Sequence, residues 1–167
     1  MPANDFIVDP AELDLTRIVA DIDEIRRWIP QRDAMEQLTA IVLDDLERHI
    51  CVGYRDLTEN EFWVSGHMPG FPLMPGVLMC EAAAQLCSYF CYVIRLIEDG
   101  FIGFGGMEDV RFRGQVRSGD RLLIVAQAQR VHRRQTIFET QGFVETNMVF
   151  HGRIIGVPLS SRSEKVL

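Results

Sequence analysis

Two side chains fourteen positions apart have the chemistry of an acid–base pair. His67 lies in a loop rich in proline and glycine, residues 66–76, which restricts the backbone around it. An imidazole takes up a proton near neutral pH. Glu81 follows in an apolar stretch, where a carboxyl group stays protonated unless it finds a partner. Such a pair suits removal of a proton next to a carbonyl, followed by loss of a leaving group from the β-carbon.

Two further groups lie close to this pair in the sequence and could assist its chemistry. Gln85 is one helical turn after Glu81 and could hold its carboxyl group. Near Gly76 a helix begins, and its free N–H groups could stabilise a developing oxyanion. Both candidate catalytic groups also have an ordinary interpretation, since a single histidine is usually structural and the carboxylate could point to solvent.

The segment that carries the carboxyl group is an apolar helix. Residues 77–94 read VLMCEAAAQLCSYFCYVI, with Glu81 as the one charged residue. Apolar side chains occupy every face, so the helix is either buried on all sides or spans a membrane. Glu81, Gln85, Ser88 and the acidic flank argue against a membrane span. We therefore expect a sheet wrapped around this helix.

The remaining pattern indicates strands on both sides of the helix. A short helix is expected at residues 21–29, before the proline at position 30. Strands are expected within residues 38–56 as a hairpin, at 62–64, 107–116, 121–131, 135–145 and 148–157. Because no helices alternate with the strands, the fold class is α+β with an antiparallel sheet.

The length of 167 residues fits one domain with short extensions. We assign residues 1–20 to a loosely held N-terminal extension, residues 21–160 to the domain and residues 161–167 to a C-terminal tail. The net charge of −7 makes a nucleic-acid or anionic-membrane binder a poor expectation. Residues 111–134, however, hold seven arginines and one acid. This run predicts a local basic patch that docks an acidic partner.

The cysteines and the first residues indicate the compartment. None of the four cysteines forms a CxxC pair, and no histidine lies at metal-ligand spacing from them. We expect small buried thiols in a reducing compartment, with no metal. The N-terminus lacks a basic segment followed by an apolar core, so we expect no signal peptide and a cytoplasmic location.

The loop and the start of the helix together resemble a known family. Residues 66–85 read GHMPGFPLMPGVLMCEAAAQ. This stretch is similar to the signature of the 3-hydroxyacyl-[acyl-carrier-protein] dehydratases, the FabZ/FabA type of bacterial fatty acid synthesis. Its His-x-Pro, Pro-Gly, Glu and Gln positions fit without a gap, and weaker similarity covers residues 21–158.

The resemblance implies a hotdog fold, in which an antiparallel sheet wraps one central helix, and a homodimer or a trimer of dimers. His67 of one subunit would remove the α-proton of a (3R)-3-hydroxyacyl thioester, and Glu81 of the other would protonate the departing hydroxyl. Gly76 would hold the thioester oxygen and Gln85 would orient Glu81. The acyl tunnel would be lined by Phe71, Leu73, Met74 and Leu78. The partner would be the acyl carrier protein, docked by Arg111, Arg113 and Arg117. No cofactor is expected.

The chain departs from the family pattern at several positions, which marks it as a divergent member. Gln31 stands where the family usually has histidine, Met68 replaces phenylalanine, and residues 114–115 replace Arg-Pro. The departures leave two alternatives open: a hotdog acyl thioesterase, and a non-catalytic acyl-binding module. Because the isomerising branch usually has aspartate on the helix, Glu81 favours dehydration alone.

Overall fold

The computed structural model describes residues 6–160, and the predicted tail 161–167 lies outside them. The α-helices are α1 (Ile22–Trp28) and α2 (Gly76–Val93). The strands are β1 (Ala40–Asp45), β2 (Ile50–Asp56), β3 (Phe101–Phe112), β4 (Arg121–His132), β5 (Gln135–Val144) and β6 (Asn147–Leu159). Single-turn 3-10 helices lie at Pro10–Glu12 and Asp33–Met35.

The strands form a six-stranded antiparallel sheet in the order β1-β2-β4-β5-β6-β3. Helix α2 packs on the inner face and contacts β2 through β6. A helix without a polar face has to be covered on all sides, and a strongly curved sheet does this with few residues. The predicted α+β class, with the sheet wrapped around one long helix, is confirmed.

Helix α2 is the core of the molecule. Twelve of its eighteen residues are buried. Within residues 6–160 it is the one helix long and apolar enough to cross a membrane, and most of it is buried inside the protein. Its apolar character is therefore accounted for by the core.

A second apolar cluster lies on the outer face of the sheet, beneath the N-terminal segment. The ring of Phe6 packs edge-on against Phe143, with 5.2 Å between centroids. The backbone N–H of Ile7 donates to Oε1 of Gln141 at 2.9 Å. Leu13 and Leu15 pack against the same cluster. We expected residues 1–20 to be loosely held; residues 6–15 instead cover apolar side chains of the sheet.

The predicted strand at residues 62–64 was wrong. The backbone N–H groups there are used in local turns: Val64 donates to the carbonyl of Glu61 at 3.0 Å, and His67 donates to that of Trp63 at 2.8 Å. Trp63 is buried in the core, which explains the apolar character of the segment. The aromatic and β-branched residues at 62–64 indicated a strand. Their apolar character instead reflects the burial of the Trp63 side chain.

Strand β3 begins six residues earlier than predicted and ends at Phe112. Three glycines, at positions 103, 105 and 106, concealed its first half because glycine is unfavourable within strands. Close contacts with side chains of β6 explain why two of these positions are glycine. A Cβ at Gly105 would lie 2.7 Å from Cγ2 of Val157, and one at Gly103 would lie 2.8 Å from Cδ1 of Leu159.

All four cysteines are free and buried, as predicted. Burial raises the pKa of the Cys91 thiol to about 12, and it also raises the pKa of Cys51, Cys80 and Cys87. The thiols therefore stay protonated at neutral pH and pack as small apolar groups.

Replacing Phe6 with alanine tests the outer cluster. We expect Phe6→Ala to lower the free energy of unfolding by about 1–2 kcal/mol, since it removes an aromatic pair and uncovers apolar strand residues. Urea unfolding measures this change. Leu46→Ala, at a side chain 54% exposed in the β1–β2 turn, is the matched control. Equal stability of the two variants would show that the segment does not stabilise the sheet.

Candidate active site

The loop before α2 is held by its own backbone and by the segment that follows β3. The N–H of Leu73 donates to the carbonyl of His67 at 2.8 Å, and the N–H of Met74 donates to that of Val116, also at 2.8 Å. Between these anchors the chain turns at Gly70, whose φ of +76° favours glycine. The loop therefore has a defined shape when it enters the helix.

The imidazole of His67 is oriented by one hydrogen bond. Its Nδ1 lies 2.9 Å from the carbonyl oxygen of Leu73, and the side chain is half-buried. A carbonyl oxygen only accepts, so Nδ1 carries the hydrogen and Nε2 has the free lone pair. This arrangement presents Nε2 as a base at a fixed angle.

Glu81 is held by Gln85, one turn further along α2. The Nε2 group of Gln85 donates to Oε1 of Glu81 at 2.8 Å and to the carbonyl of Met35 at 2.7 Å. Its Oε1 accepts the backbone N–H of Gln37 at 2.9 Å. The side chain of Gln85 thus uses both ends of its amide. It orients the carboxyl group and fastens the loop between α1 and β1 to the helix.

A small cavity of about 60 Å³ lies beside Glu81. Helix α2 contributes one wall, which includes Ala84 and Ser88. Strands β3 and β6 contribute the opposite wall, with Phe104 and Ile154 among its residues. This cavity was not predicted from the sequence. The available signal was that Ala84 and Ser88 follow Glu81 by three and seven positions and so share its helical face.

The larger groove of the molecule is elsewhere. It has a volume of about 1270 Å³ and lies between the N-terminal region, α1 and the end of α2, with Asp21, Trp28 and Tyr92 among its lining residues. None of the predicted site residues lines it. In residues 6–160 no group of three or more His, Cys, Asp and Glu side chains is placed to hold a metal ion.

Gly76 is the first residue of α2, and its surroundings require a residue without a side chain. A Cβ at this position would lie 2.8 Å from Cε1 and Cζ of the Phe112 ring at the end of β3. Within the described part of the chain no acceptor pairs with the N–H of Gly76. This N–H is free to bind an anionic oxygen, as at other helix N-termini.

The four residues expected to line a tunnel are divided between the core and the loop. Met74 and Leu78 are buried core residues. Leu73 is half-buried and binds His67 through its carbonyl, whereas Phe71 is 46% exposed. None of them lines the cavity beside Glu81 of the same chain. Their role in a tunnel stays a prediction.

The three arginines expected to dock a carrier protein are exposed, but they occupy two places. Arg113 contacts Nε2 of His151 at 3.0 Å, and Arg111 is paired with His151 across β3 and β6. Burial, with these two arginines, lowers the pKa of His151. Arg117 lies over the ring of Phe71 at 4.4 Å, on the loop that carries the candidate base.

The predicted single basic patch over residues 111–134 was wrong. Arg121, at the start of β4, forms a two-pronged ion pair with Asp56, at 2.6 and 2.8 Å. Arg130 lies nine residues along the same strand, about 30 Å away at the usual rise. Arg133 and Arg134 follow in the turn beyond it. Extended strands spread apart charges that are close in sequence.

Within one chain His67 and Glu81 bond to different groups and not to each other. The cavity beside Glu81 lies next to β3, which is an edge strand. Its outer edge has no strand partner among the described residues. Large apolar side chains of β3 are 46–51% exposed: Phe101, Phe104, Met107 and Phe112. An exposed edge strand of this kind is a template for pairing with another chain.

Comparison with known proteins agrees with this architecture. The FabA-like domain model matches residues 29–153, three quarters of the chain. The chain belongs to the FabA-like family. The resemblance noted in residues 66–85 is confirmed, and with it the enzyme class, a lyase of the dehydratase type.

Two curated relatives show how far the similarity extends. The 3-hydroxyacyl-[acyl-carrier-protein] dehydratase FabZ of Polynucleobacter necessarius is 36% identical over 115 residues, which are 69% of this chain and 76% of that protein. The enzyme of the same name from Syntrophobacter fumaroxidans is 34% identical over 151 residues, 87% of this chain and 98% of that one.

Solved structures support the fold. The dehydratase heterocomplex ApeI:P from Xenorhabdus doucetiae matches with a TM-score of 0.71 at 15% identity, over 82% of this chain and 91% of that one. The PaaI protein of E. coli matches with a TM-score of 0.55 at 16% identity, over 70% and 80%. The predicted hotdog fold is therefore confirmed.

The contact between Gly76 and Phe112 gives a testable cycle. We expect Gly76→Ala to lower the free energy of unfolding by about 1–2 kcal/mol because the new methyl group displaces the ring. Phe112→Ala added to it should restore most of this loss, and thermal unfolding of the single and double variants measures the coupling. If the cost stays the same without the ring, the contact does not explain the glycine.

Proposed function

We propose that this protein dehydrates a (3R)-3-hydroxyacyl thioester, carried by the acyl carrier protein, to the trans-2-enoyl thioester. His67 is the general base and Glu81 the general acid. The observation that carries the proposal is that each group is set by one hydrogen bond, from His67 to the carbonyl of Leu73 and from Gln85 to Glu81. The family supplies the reaction class.

His67 starts the reaction. Its Nε2 takes the proton from C2, which is acidic because the thioester carbonyl accepts the charge. Since Nδ1 already donates to the carbonyl of Leu73, the imidazolium formed keeps its orientation and gains a stronger, charge-assisted hydrogen bond. The Leu73 carbonyl thus selects the tautomer and holds the ring in place during the step.

The carbonyl oxygen becomes enolate-like as the proton leaves. The free N–H of Gly76 at the start of α2 is the donor for this oxygen, and the partial positive charge of the helix N-terminus adds to the stabilisation.

Glu81 completes the elimination. The bond from C3 to the hydroxyl oxygen breaks, Glu81 gives its proton to that oxygen, and water leaves while the double bond forms between C2 and C3. Glu81 lies beside the small cavity that β3 and β6 border, where the departing hydroxyl would be placed. Gln85 keeps one carboxyl oxygen bonded, which leaves the other for the substrate.

The complete site needs two copies of the chain. The exposed edge of β3 borders the Glu81 cavity, and a second copy paired along that edge would cover the apolar side chains of Phe104 and Met107. A twofold axis at this edge would bring the loop with His67 of one copy toward the cavity of the other. We propose a homodimer with two equivalent sites, located in the cytoplasm.

The acidic carrier protein would approach beside the loop. Arg117 is exposed there and stacks on Phe71, which lies four residues after His67. Arg111 and Arg113 lie on the outer face near the end of β3 and would add attraction at longer range. Among the three, Arg117 is therefore the proposed contact nearest the reacting thioester.

Single substitutions test the two catalytic roles. We expect His67→Ala and Glu81→Gln each to lower kcat for dehydration by about a hundredfold or more, since general acid or base catalysis is lost. Formation of the enoyl thioester is measured from its absorbance. His132→Ala, at an exposed histidine that ends β4, is the control. Thiol release without loss of water would identify a thioesterase instead, and binding without turnover an acyl-binding module.

A mixture of the two inactive variants tests the shared site. If each site takes His67 from one copy and Glu81 from the other, refolding the variants together should restore about a quarter of wild-type activity. Half of the dimers formed at random are mixed, and each has one intact site. A site built within one chain would give no recovery, because neither chain has both groups.

A further inference from the structure

We propose that the groove beside α1 docks a basic segment of a partner protein, in which apolar side chains accompany the lysines or arginines. This groove lies between residues 18–21, α1, the end of α2 and the residues that follow it. None of the candidate catalytic residues lines it, so docking there is separate from the dehydration chemistry. The partner is indicated by exposed apolar side chains, an excess of acids and two fixed aromatic rings.

Large apolar side chains of the groove are exposed. Ile18, Val19 and Trp28 are each 40–47% exposed, and all three line it. The segment that carries the first two is held beside strand β1, because the N–H groups of Val19 and Ala20 donate to the carbonyl of Ile41 at 2.8 and 3.3 Å. Apolar side chains that gather within a polar rim are typical of a surface that binds another protein.

The charged residues of the groove are mainly acidic. Two arginines line it together with six acids: Asp21, Asp23, Glu24, Asp44, Glu98 and Asp99. Asp23 and Glu24 pair with arginines of α1. Within residues 6–160 no ion pair involves Asp21, Asp44 or Glu98. This charge favours a basic partner and repels an acidic one such as the carrier protein.

Asp44 places one of these charges at the inner side of the groove. Its carboxyl group is half-buried and accepts hydrogen bonds from the hydroxyl of Tyr89 and the thiol of Cys51, both at 3.1 Å. These neutral donors orient the carboxyl group without balancing its charge. Burial raises the pKa of Asp44, and a cation seated beside it would offset this cost of burial.

Two aromatic rings of the groove are fixed before any partner binds. The ring of Trp28 packs against that of Tyr92 with 6.1 Å between centroids, and its Nε1 donates to Oε1 of Glu24 at 3.0 Å. The hydroxyl of Tyr92 donates to the carbonyl of Gly100 at 2.8 Å. The face of an aromatic ring attracts lysine and arginine, and a ring already in place loses little freedom on binding.

Peptide binding to the whole protein tests this docking chemistry. The probe is a short fluorescent peptide of alternating arginine and leucine. Two comparison peptides replace either the arginines with glutamates or the leucines with serines. We expect the arginine–leucine peptide to bind about tenfold more tightly than either of them, by fluorescence anisotropy. Raising the salt concentration from about 0.05 to about 0.5 M should weaken its binding about tenfold, because exposed charges are screened.

Substitutions then assign the binding to the groove. Trp28→Ala and Glu98→Lys should each weaken binding of the arginine–leucine peptide about fivefold to tenfold, because one removes an aromatic face and the other reverses a charge. Phe62→Ala and Glu59→Lys, at exposed residues outside the groove, are the matched controls and should change it by less than about twofold. Thermal unfolding checks that each variant is folded. Dehydration by Glu98→Lys should match the wild type, which separates docking from the proposed function.

Three results would overturn the inference. In the first, the arginine–leucine peptide binds no more tightly than the peptide with glutamates. In the second, the control variants weaken binding as much as the groove variants do. In the third, a second copy of the chain occupies the groove: light scattering would show the wild type assembling further as its concentration rises, and Glu98→Lys would reverse this assembly.

Discussion

The whole structure depends on the burial of one helix that has no polar face. Helix α2 must be surrounded, and the six-stranded sheet curves around it because most of its eighteen residues need apolar contact. Every other feature follows from this enclosure. The sheet ends at an edge strand, the loop before the helix is pinned to the segment after β3, and the single acid of the helix is left beside a cavity.

Gln85 resolves the conflict between this burial and the presence of a carboxyl group. At 1% exposure it is a buried polar residue, and such a residue is tolerated where its hydrogen bonds are made. Its amide does so with Glu81, the carbonyl of Met35 and the N–H of Gln37. The same side chain therefore stabilises the fold and orients the candidate acid, so its structural and chemical roles cannot be separated by deletion alone.

The sheet has an unpaired edge at β3, and the candidate active site lies beside this edge. The apolar side chains of this strand are half exposed, and the Glu81 cavity opens beside them. Covering this edge with a second chain would satisfy the apolar surface and would bring a second loop to the cavity. A requirement of stability and a requirement of catalysis are then met by one interface.

The sequence alone determined the fold class, the central helix and the pairing of Glu81 with Gln85, because these depend on local periodicity and on contacts one helical turn apart. It did not locate the first half of β3, where glycines leave space for side chains of β6. It also did not show that Trp63 lies in a turn and buries its side chain in the core. The separation of Arg121 from Arg130 was also hidden, since the length of an extended strand sets their distance and a count of charges does not show it. The walls of the cavity came only with the tertiary structure, because Gln31, Ser88, Phe104 and Ile154 are far apart in the chain and meet through packing.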